Sequence, residues 1–123
     1  MTAPLRTALA LLAFVAGSSA LAAPDAAATR EIDHLLAFVA ASECRFVRAG
    51  TEHPGPEARD HLLRKLEVAR PLLGTADQFV DHVATGSSLT GETYRVRCGT
   101  RELTSKAWLR AELERYRRST LAK

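Results

Sequence analysis

The chain has 123 residues, of which 46% are hydrophobic and 25% charged, and its formal net charge is +3. This length fits one globular domain, and the hydrophobic fraction together with the low net charge excludes an intrinsically disordered chain. Seven glycines and five prolines exclude a collagen-like protein, and two cysteines are too few for a scaffold held mainly by disulfides.

The first 22 residues have the three parts of a secretory signal peptide. Arg6 is the only charged residue before Asp25, a short hydrophobic run occupies positions 7–16, and small residues lead up to a cleavage site at Ala22. The run is too short for a membrane-spanning helix, which needs about 20 hydrophobic residues. We therefore expect export to the periplasm, cleavage near Ala22, a flexible linker at residues 23–28 and no transmembrane anchor afterwards.

Cys44 and Cys98 both lie beyond the expected cleavage site. In an oxidising compartment an even pair of cysteines most simply forms one disulfide. Closing a loop of that length stabilises a fold by about 4 kcal/mol in the chain-entropy model. A redox or metal-binding role would require a C-x-x-C motif or a zinc-ligand spacing, and the sequence has neither. The pair therefore predicts a structural disulfide.

Hydrophobic periodicity predicts an α+β domain over residues 29–118, followed by a short tail at 119–123. Spacings of three and four indicate helices, strict alternation indicates strands, and stretches rich in glycine or proline separate them. The predicted order is a helix capped by Thr29 and running to about Glu43, a hairpin over 44–53, a helix through 58–69, a short helix opened by a capping box at 75–78, a hairpin over 93–104 and a last helix capped by Thr104 or Ser105. This is a small domain of about four helices and two hairpins.

Side-chain alternation also predicts how the two hairpins meet. Every second residue of a strand shares a face, so one pairing of the first and third strands aligns the cysteines and their neighbours together. The predicted antiparallel partners are Cys44 with Cys98, Phe46 with Val96, and Arg48 with Tyr94. Arg48 would then lie at the edge of the core rather than in water.

The last predicted helix is rich in basic residues from Arg110 to Lys123. Cations are favourable near a helix C-terminus, and this pattern is typical of a solvated helix end. A nucleic-acid surface would interleave its cations with aromatic residues. Removal of the leader takes away only Arg6 and leaves 16 basic residues against 14 acidic ones, so we expect no nucleic-acid partner. Trp108 in this helix is predicted to be the main core aromatic.

A series of residues in this chain resembles the YfeK-like family of small exported bacterial proteins, a domain of unknown function. The residues that recur in the family's order are Phe46-Val-Arg48, Gly50, Glu57-Ala58, His61-Leu62, Lys65, Thr75-Ala76, Phe79, Ser87-Ser88, Gly91 and Tyr94. The resemblance covers about Glu31 to Tyr116 and implies a periplasmic protein of Gram-negative bacteria with no established activity. Relatives often carry Asn-Gly at the first hairpin turn, where this chain has Ala49-Gly50, a pair less suited to a type I′ turn.

The polar residues of this pattern form the candidate binding site for a ligand or partner. They are Arg48, His61, Lys65, Ser87, Ser88, Thr90 and Tyr94. His61 and Lys65 share a helix face, and near the serine loop and Arg48 they would suit a carboxylate or a phosphate. The alternative is a structural network, in which the serines close their loop and Arg48 satisfies carbonyls or stacks on Tyr94.

Two classes of function stay open. The favoured one is a non-enzymatic module without cofactor or metal, which binds an envelope protein or an anionic envelope component. The other is a small periplasmic hydrolase or metal-dependent enzyme that uses His61 with Glu57 or a loop serine. His53 could join the first pair and Asp81 could complete a triad, yet no G-x-S-x-G motif surrounds the serines and no known metal-ligand spacing is present. We therefore assign no catalytic residue.

Overall fold

The computed structural model describes residues 2–4, 10, 13 and 24–122, so most of the expected signal peptide, residues 1–22, lies outside the described residues. Within residues 24–122 the elements are α1 (Ala26–Ala41), β1 (Arg45–Arg48), β2 (Thr51–His53), α2 (Gly55–Ala69), a 3₁₀ turn (Arg70–Leu72), α3 (Ala76–His82), β3 (Arg95–Cys98), β4 (Arg101–Thr104) and α4 (Ser105–Leu121). This order confirms the predicted α+β class. None of the helices in this part of the chain is long and hydrophobic enough to cross a membrane.

The two hairpins join into one antiparallel sheet with the strand order β2-β1-β3-β4. β1 pairs with β3 so that Phe46 lies opposite Val96, which is the predicted register. Next to this pair, Cys44 and Cys98 are joined by a disulfide with their Cα atoms 4.5 Å apart. The predicted disulfide and register are both confirmed. The register was predictable because one face of each strand must be buried, and a shift by one residue would expose that face.

The two hairpin turns reach their geometry differently. Gly99 has a φ of +63° and opens the β3–β4 turn, as predicted for a turn with glycine first. In the β1–β2 turn both Ala49 (φ 51°) and Gly50 (φ 74°) have positive φ values, which a type I′ turn requires. A left-handed conformation is unfavourable for alanine, so this turn carries backbone strain at Ala49.

The helices cover the sheet face that carries Phe46 and Val96, and the core lies between these two layers. Its fully buried side chains come from all four helices, for example Leu35, Leu66, Phe79 and Leu109. Phe79 is the largest of them, so the prediction that Trp108 is the main core aromatic is wrong. Trp108 is only partly buried, at the rim of the core, where its ring packs on those of Phe38 and Phe46 at 4.5 Å and 5.3 Å.

The ends of the outer helices differ from the prediction. α1 begins at Ala26 because the carboxylate of Asp25 accepts a hydrogen bond from the Ala28 amide at 2.8 Å, so the cap is Asp25 and not Thr29. Residues 26–28 therefore belong to this helix and not to a linker, and Ala28 is buried. α4 continues to Leu121, three residues past the expected end of the domain. The predicted cap at Thr104 is confirmed.

Candidate functional site

Lys65 connects α2 to the segment that leads from α3 into β3. Its ammonium donates hydrogen bonds to the carbonyl oxygens of Val83 and Gly86, both at 2.7 Å, and to the Tyr94 hydroxyl at 3.1 Å. An ammonium has three hydrogens, so these contacts use all of its donors. Lys65 therefore holds the loop after α3 against α2, while its positive charge has no carboxylate partner among the described residues.

His61 lies one helical turn before Lys65 and shares its contact with Tyr94. The His61 Nε2 atom is 3.1 Å from the Tyr94 hydroxyl, and the Tyr94 side chain is buried. The spacing of four residues on α2 brings both side chains to one face, as the sequence predicts. Three of the seven candidate residues are thus in direct contact.

Arg48 has the predicted position, but among the described residues it makes neither of the contacts that the structural alternative assigned to it. It lies half-buried at the edge of the core. Lys65, and not Arg48, is the cation found over the Tyr94 ring among the described residues, 4.8 Å from the ring centre. The guanidinium of Arg48 makes no hydrogen bond or ion pair with any other described residue. Arg48 lines a small recess together with His61 and Tyr94, and neither Ser87 nor Ser88 is part of that lining.

The serine loop, residues 86–91, is closed by its own hydroxyl groups. Ser87 Oγ accepts hydrogen bonds from the amides of Leu89 and Thr90, each at 3.2 Å. Thr90 Oγ1 accepts one from the Glu92 amide at the same distance. At the base of the loop a Cβ on Gly86 would lie 2.5 Å from the Glu92 carbonyl oxygen, so this close approach requires glycine. Ser87 and Thr90 therefore have the structural role that the alternative interpretation gave to the loop serines.

A groove of about 420 Å³ separates α2 from the serine loop. It is lined by His61, Arg64, Lys65, Val68, Ala69, His82, Val83, Ser87, Ser88, Leu89 and Tyr94. His61 and Tyr94 also line the smaller recess with Arg48, and the volume of this recess is about 30 Å³. Among the residues described, neither lining includes a carboxylate. The groove is therefore basic.

Burial and positive charge shift the ionisation of the central residues. Burial, followed by the charges of Arg48, Lys65 and Arg64, lowers the pKa of His61 from 6.5 to about 4. Burial and then Arg48 also lower the pKa of Lys65, and burial raises the pKa of Tyr94. At neutral pH His61 is thus an uncharged hydrogen-bond partner, while the three acceptors around Lys65 match a protonated ammonium.

Three of the residues considered as catalytic partners of His61 have other partners. Glu57 lies 3.0 Å from Nδ1 of His53 and so pairs with that histidine. Asp81 pairs with Arg110 at 2.5 Å and lies 3.7 Å from Lys106. Ser87 accepts backbone hydrogen bonds, as described above. Within the described part of the chain, no group of three or more His, Cys, Asp or Glu side chains could hold a metal ion.

Sequence reasoning missed Arg64, which lines the groove beside Lys65 and is exposed. Its signal was present in the sequence, because a residue three positions after His61 lies on the same side of a helix. It also missed the hydrophobic rim of the groove, formed in part by Val68 and Leu89. That feature had no comparable signal, since it depends on how the loop packs against α2.

Comparison with protein families matches residues 26–117 to a family of unknown function, DUF5329. The uncharacterized protein YfeK of Salmonella typhimurium (strain LT2) is 43% identical over 60 residues, which are 49% of this chain and 50% of that protein. This match thus spans about half the length of the relative. No solved structure matches the chain. The resemblance to the YfeK-like family is confirmed by these matches.

Proposed function

The chain belongs to DUF5329, a family of unknown function, and from its groove we propose that it is a non-enzymatic binding module of the bacterial periplasm. The module recognises an anionic group, a carboxylate or a phosphate, on a component of the cell envelope. The observation that carries this proposal is that Arg64 and Lys65 line one groove whose described lining contains no carboxylate.

Most of the ion pairs lie away from the groove. The basic residues that have carboxylate partners within 4.0 Å are His34, His53, Arg59, Arg70, Arg97, Lys106, Arg110, Arg115 and Arg117. Arg48, Arg64 and Lys65 are in none of these pairs. Bringing unpaired cations together costs free energy through repulsion, and an anionic ligand between them would offset this cost. Such uncompensated charge supports a binding role for the groove.

Different groups in the groove would act on the ligand in different ways. Arg64 and Ser88 make no side-chain hydrogen bond with the described residues, so they are the donors that an anion would reach first. Arginine suits this role because its planar guanidinium can bind both oxygens of a carboxylate or phosphate. Lys65 has no free donor and would attract the anion through its charge alone. This division makes Arg64 the residue to test.

The proposed periplasmic location is supported by the disulfide, because disulfides persist in oxidising compartments and are rare in the cytosol. The intact mass of protein purified after expression of the full chain in a Gram-negative bacterium tests it. We expect a mass that lacks residues 1–22 and two hydrogens, as cleavage after Ala22 and oxidation of Cys44 and Cys98 require. Recovery of the uncleaved chain from the cytoplasm would contradict the location.

Anion binding is tested by titrating the same purified protein with inorganic phosphate and with acetate, followed by NMR spectra of its amides and arginine side chains. We expect saturable shifts at Ser88, Arg64 and their neighbours. In the Arg64→Ala variant binding should weaken about tenfold, the effect of one charge-assisted hydrogen bond. Arg118→Ala is the matched control, because Arg118 is exposed, lies on α4 and makes no ion pair with the described residues.

Two results would count against the proposal. One is the absence of saturable shifts at the groove with either anion. The other is an equal loss of affinity in Arg64→Ala and Arg118→Ala, which would mean that the anions respond to total charge and not to this site.

A further inference from the structure

Large hydrophobic side chains stand exposed around the basic groove. Val68 is 84% exposed, Leu72 is 74% exposed and Leu89 is 97% exposed. Val68 and Leu89 line the groove from α2 and from the serine loop. Leu72 follows Val68 by four residues, in the 3₁₀ turn that continues α2. Exposed hydrophobic side chains that cluster in this way mark interaction surfaces more often than scattered ones do.

Along α2 the groove changes from polar to hydrophobic. His61, Lys65 and Val68 are separated by intervals of four and three residues, and Leu72 by another four, so they form one stripe along the helix. The basic groups lie at one end of this stripe and the aliphatic groups at the other. An occupant of the whole groove would need an anionic part next to a hydrophobic part.

The serine loop presents Leu89 in an ordered conformation. Besides the contacts of the Ser87 hydroxyl, the Gly91 amide bonds to the Ser87 carbonyl at 2.9 Å and the Ser87 amide bonds to the Glu92 carbonyl at 2.8 Å. Lys65 anchors the base of the loop through Gly86. The loop therefore loses its conformational entropy during folding, although its tip is almost fully exposed. A preorganised tip of this kind favours binding, because little entropy is lost on contact.

The charges around these side chains are mostly positive. The cations Arg64 and Lys65 line the groove. Two carboxylates lie nearby. Glu67 on α2 is paired with Arg70 at 3.3 Å, and Glu92 at the base of the serine loop adds to burial in raising the pKa of Tyr94. The surface therefore complements an occupant that is both negatively charged and hydrophobic. A protein partner would need separate pockets for aliphatic side chains that protrude from two segments, whereas a bilayer offers phosphates at its surface and hydrocarbon just beneath.

Building on the proposed anion-binding function, we infer that this surface docks onto a bilayer containing anionic phospholipids. The lipid phosphate lies in the groove beside Arg64 and Lys65. Val68, Leu72 and Leu89 enter the interface between headgroups and acyl chains. The binding is peripheral, because each aliphatic group reaches only the outer part of the hydrocarbon region.

Co-sedimentation of the purified protein with vesicles tests this inference. Vesicles of phosphatidylcholine alone are compared with vesicles of equal parts phosphatidylcholine and phosphatidylglycerol, and we expect binding to the anionic vesicles only. Leu89→Ser should weaken it about tenfold, since most of a leucine side chain loses its hydrophobic burial. Arg64→Ala should weaken it about fivefold, as expected for one charge near an anionic surface.

Leu121→Ser is the matched control for Leu89→Ser. Leu121 is 85% exposed but lies at the end of α4 and does not line the groove, so vesicle binding should be unchanged. The loop hydrogen bond at residue 89 involves its backbone amide, so Leu89→Ser should keep the fold. Leu72→Ser, at a position outside the groove lining, should weaken vesicle binding while it keeps the affinity for inorganic phosphate. Circular dichroism and the phosphate titration verify both expectations.

The outcomes separate this inference from the proposed function. If inorganic phosphate binds at the groove but anionic vesicles do not, the bilayer is overturned as the occupant while anion binding stands. Equal losses in Leu89→Ser and Leu121→Ser, or equal binding to neutral vesicles, would also overturn it. If phosphate fails to bind at the groove, the proposed function itself fails. Capture of an acidic protein that depends on Leu89, without vesicle binding, would identify a protein as the occupant instead.

Discussion

The two sides of this molecule differ in how their charged side chains are paired. On the side formed by α1, α3 and α4, several charged groups form ion pairs that cross from one helix to another. Arg117 bonds to Glu31 at 2.6 Å and to Asp77 at 2.8 Å, and so links all three helices. The buried carboxylate of Glu112 is held by Arg115 and His34. On the groove side, Arg48, Arg64 and Lys65 have no such partners among the described residues.

The pKa shifts follow the same division. Hydrogen bonds from Arg117 lower the pKa of Asp77, and those from Arg115 and His34 lower the pKa of Glu112, so these shifts favour the charged forms. In the groove, burial and like charge lower the pKa of His61 and Lys65, which favours the neutral forms. Paired charges therefore stabilise the fold itself, whereas the groove retains unpaired charge that a ligand can neutralise.

The largest expected effect tests whether Lys65 serves the fold as well as the groove. Lys65→Met removes the donor to two carbonyls and to the Tyr94 hydroxyl. Because partly buried acceptors would lose a charged donor, we expect the free energy of unfolding to fall by about 3 kcal/mol in urea titrations. Lys106→Met is the matched control and should change it by less than about 0.5 kcal/mol, because Lys106 is only half-buried and its ammonium has one long contact, 3.7 Å from Asp81. Equal stabilities of the two variants would show that water replaces the ammonium without cost.

A second pair of variants compares the two sides directly. Arg117→Ala breaks the contacts with Glu31 and Asp77 and should lower the free energy of unfolding by about 1–2 kcal/mol. Arg64→Ala removes an unpaired cation and should leave it within about 0.5 kcal/mol, or raise it slightly by relieving repulsion. Urea unfolding of both variants at neutral pH measures the difference. A loss in Arg64→Ala as large as in Arg117→Ala would abolish the distinction between the two sides.

As the pH falls, the groove side should lose its contribution to the free energy of unfolding at a higher pH than the ion-paired side does. The pKa of His61 falls from 6.5 to about 4 on folding, mainly through burial, with Arg48, Lys65, Arg64 and His53 adding positive charge around the ring. The unfolded chain therefore binds more protons between these values. The stability that neutral His61 provides is present above pH 6.5 and lost as the pH falls towards about 4.

Over this pH range the unfolding free energy of His61→Gln should decline by about 1 kcal/mol less than that of the unsubstituted protein. This value is reduced for solvent screening, because the ring is only partly buried. His82→Gln, at an exposed position of the same groove, is the control. The pKa values of Asp77 and Glu112 lie below their ordinary values of 3.8 and 4.5, so their contribution is lost only at lower pH. An unchanged slope in His61→Gln would contradict the assignment of this pH range to His61.

The smallest expected effect is a stabilising substitution in the β1–β2 turn, and the variants described above could be compared in that more stable protein. Ala49→Asn should relieve the strain of a positive φ and raise the free energy of unfolding by about 0.5 kcal/mol, since asparagine tolerates this conformation better than alanine. Thermal unfolding measures the change, and groove variants in this background would stay folded over a wider range of conditions. Lower stability in Ala49→Asn would show that the turn is not strained at this position.

The α+β class, the disulfide and the strand register could be predicted from the sequence. They depend on local periodicity and on pairs such as Phe46 and Val96, whose burial excludes other registers. The position of His61 and Lys65 on one helix face was also predictable, because a spacing of four residues determines it. The caps at Asp25 and Thr29 could not be ranked in this way, since both residue types accept the same hydrogen bond.

The tertiary structure alone decided what these residues contact. Lys65 donates to carbonyls beyond α3, Glu57 pairs with His53 and not His61, and Arg64 remains unpaired. Each result depends on the packing of elements that are distant in sequence, and side-chain spacing within one helix carries no information about it. The sequence therefore determined the framework of this protein, whereas packing between α2 and the loop after α3 created its basic, hydrophobic-rimmed groove.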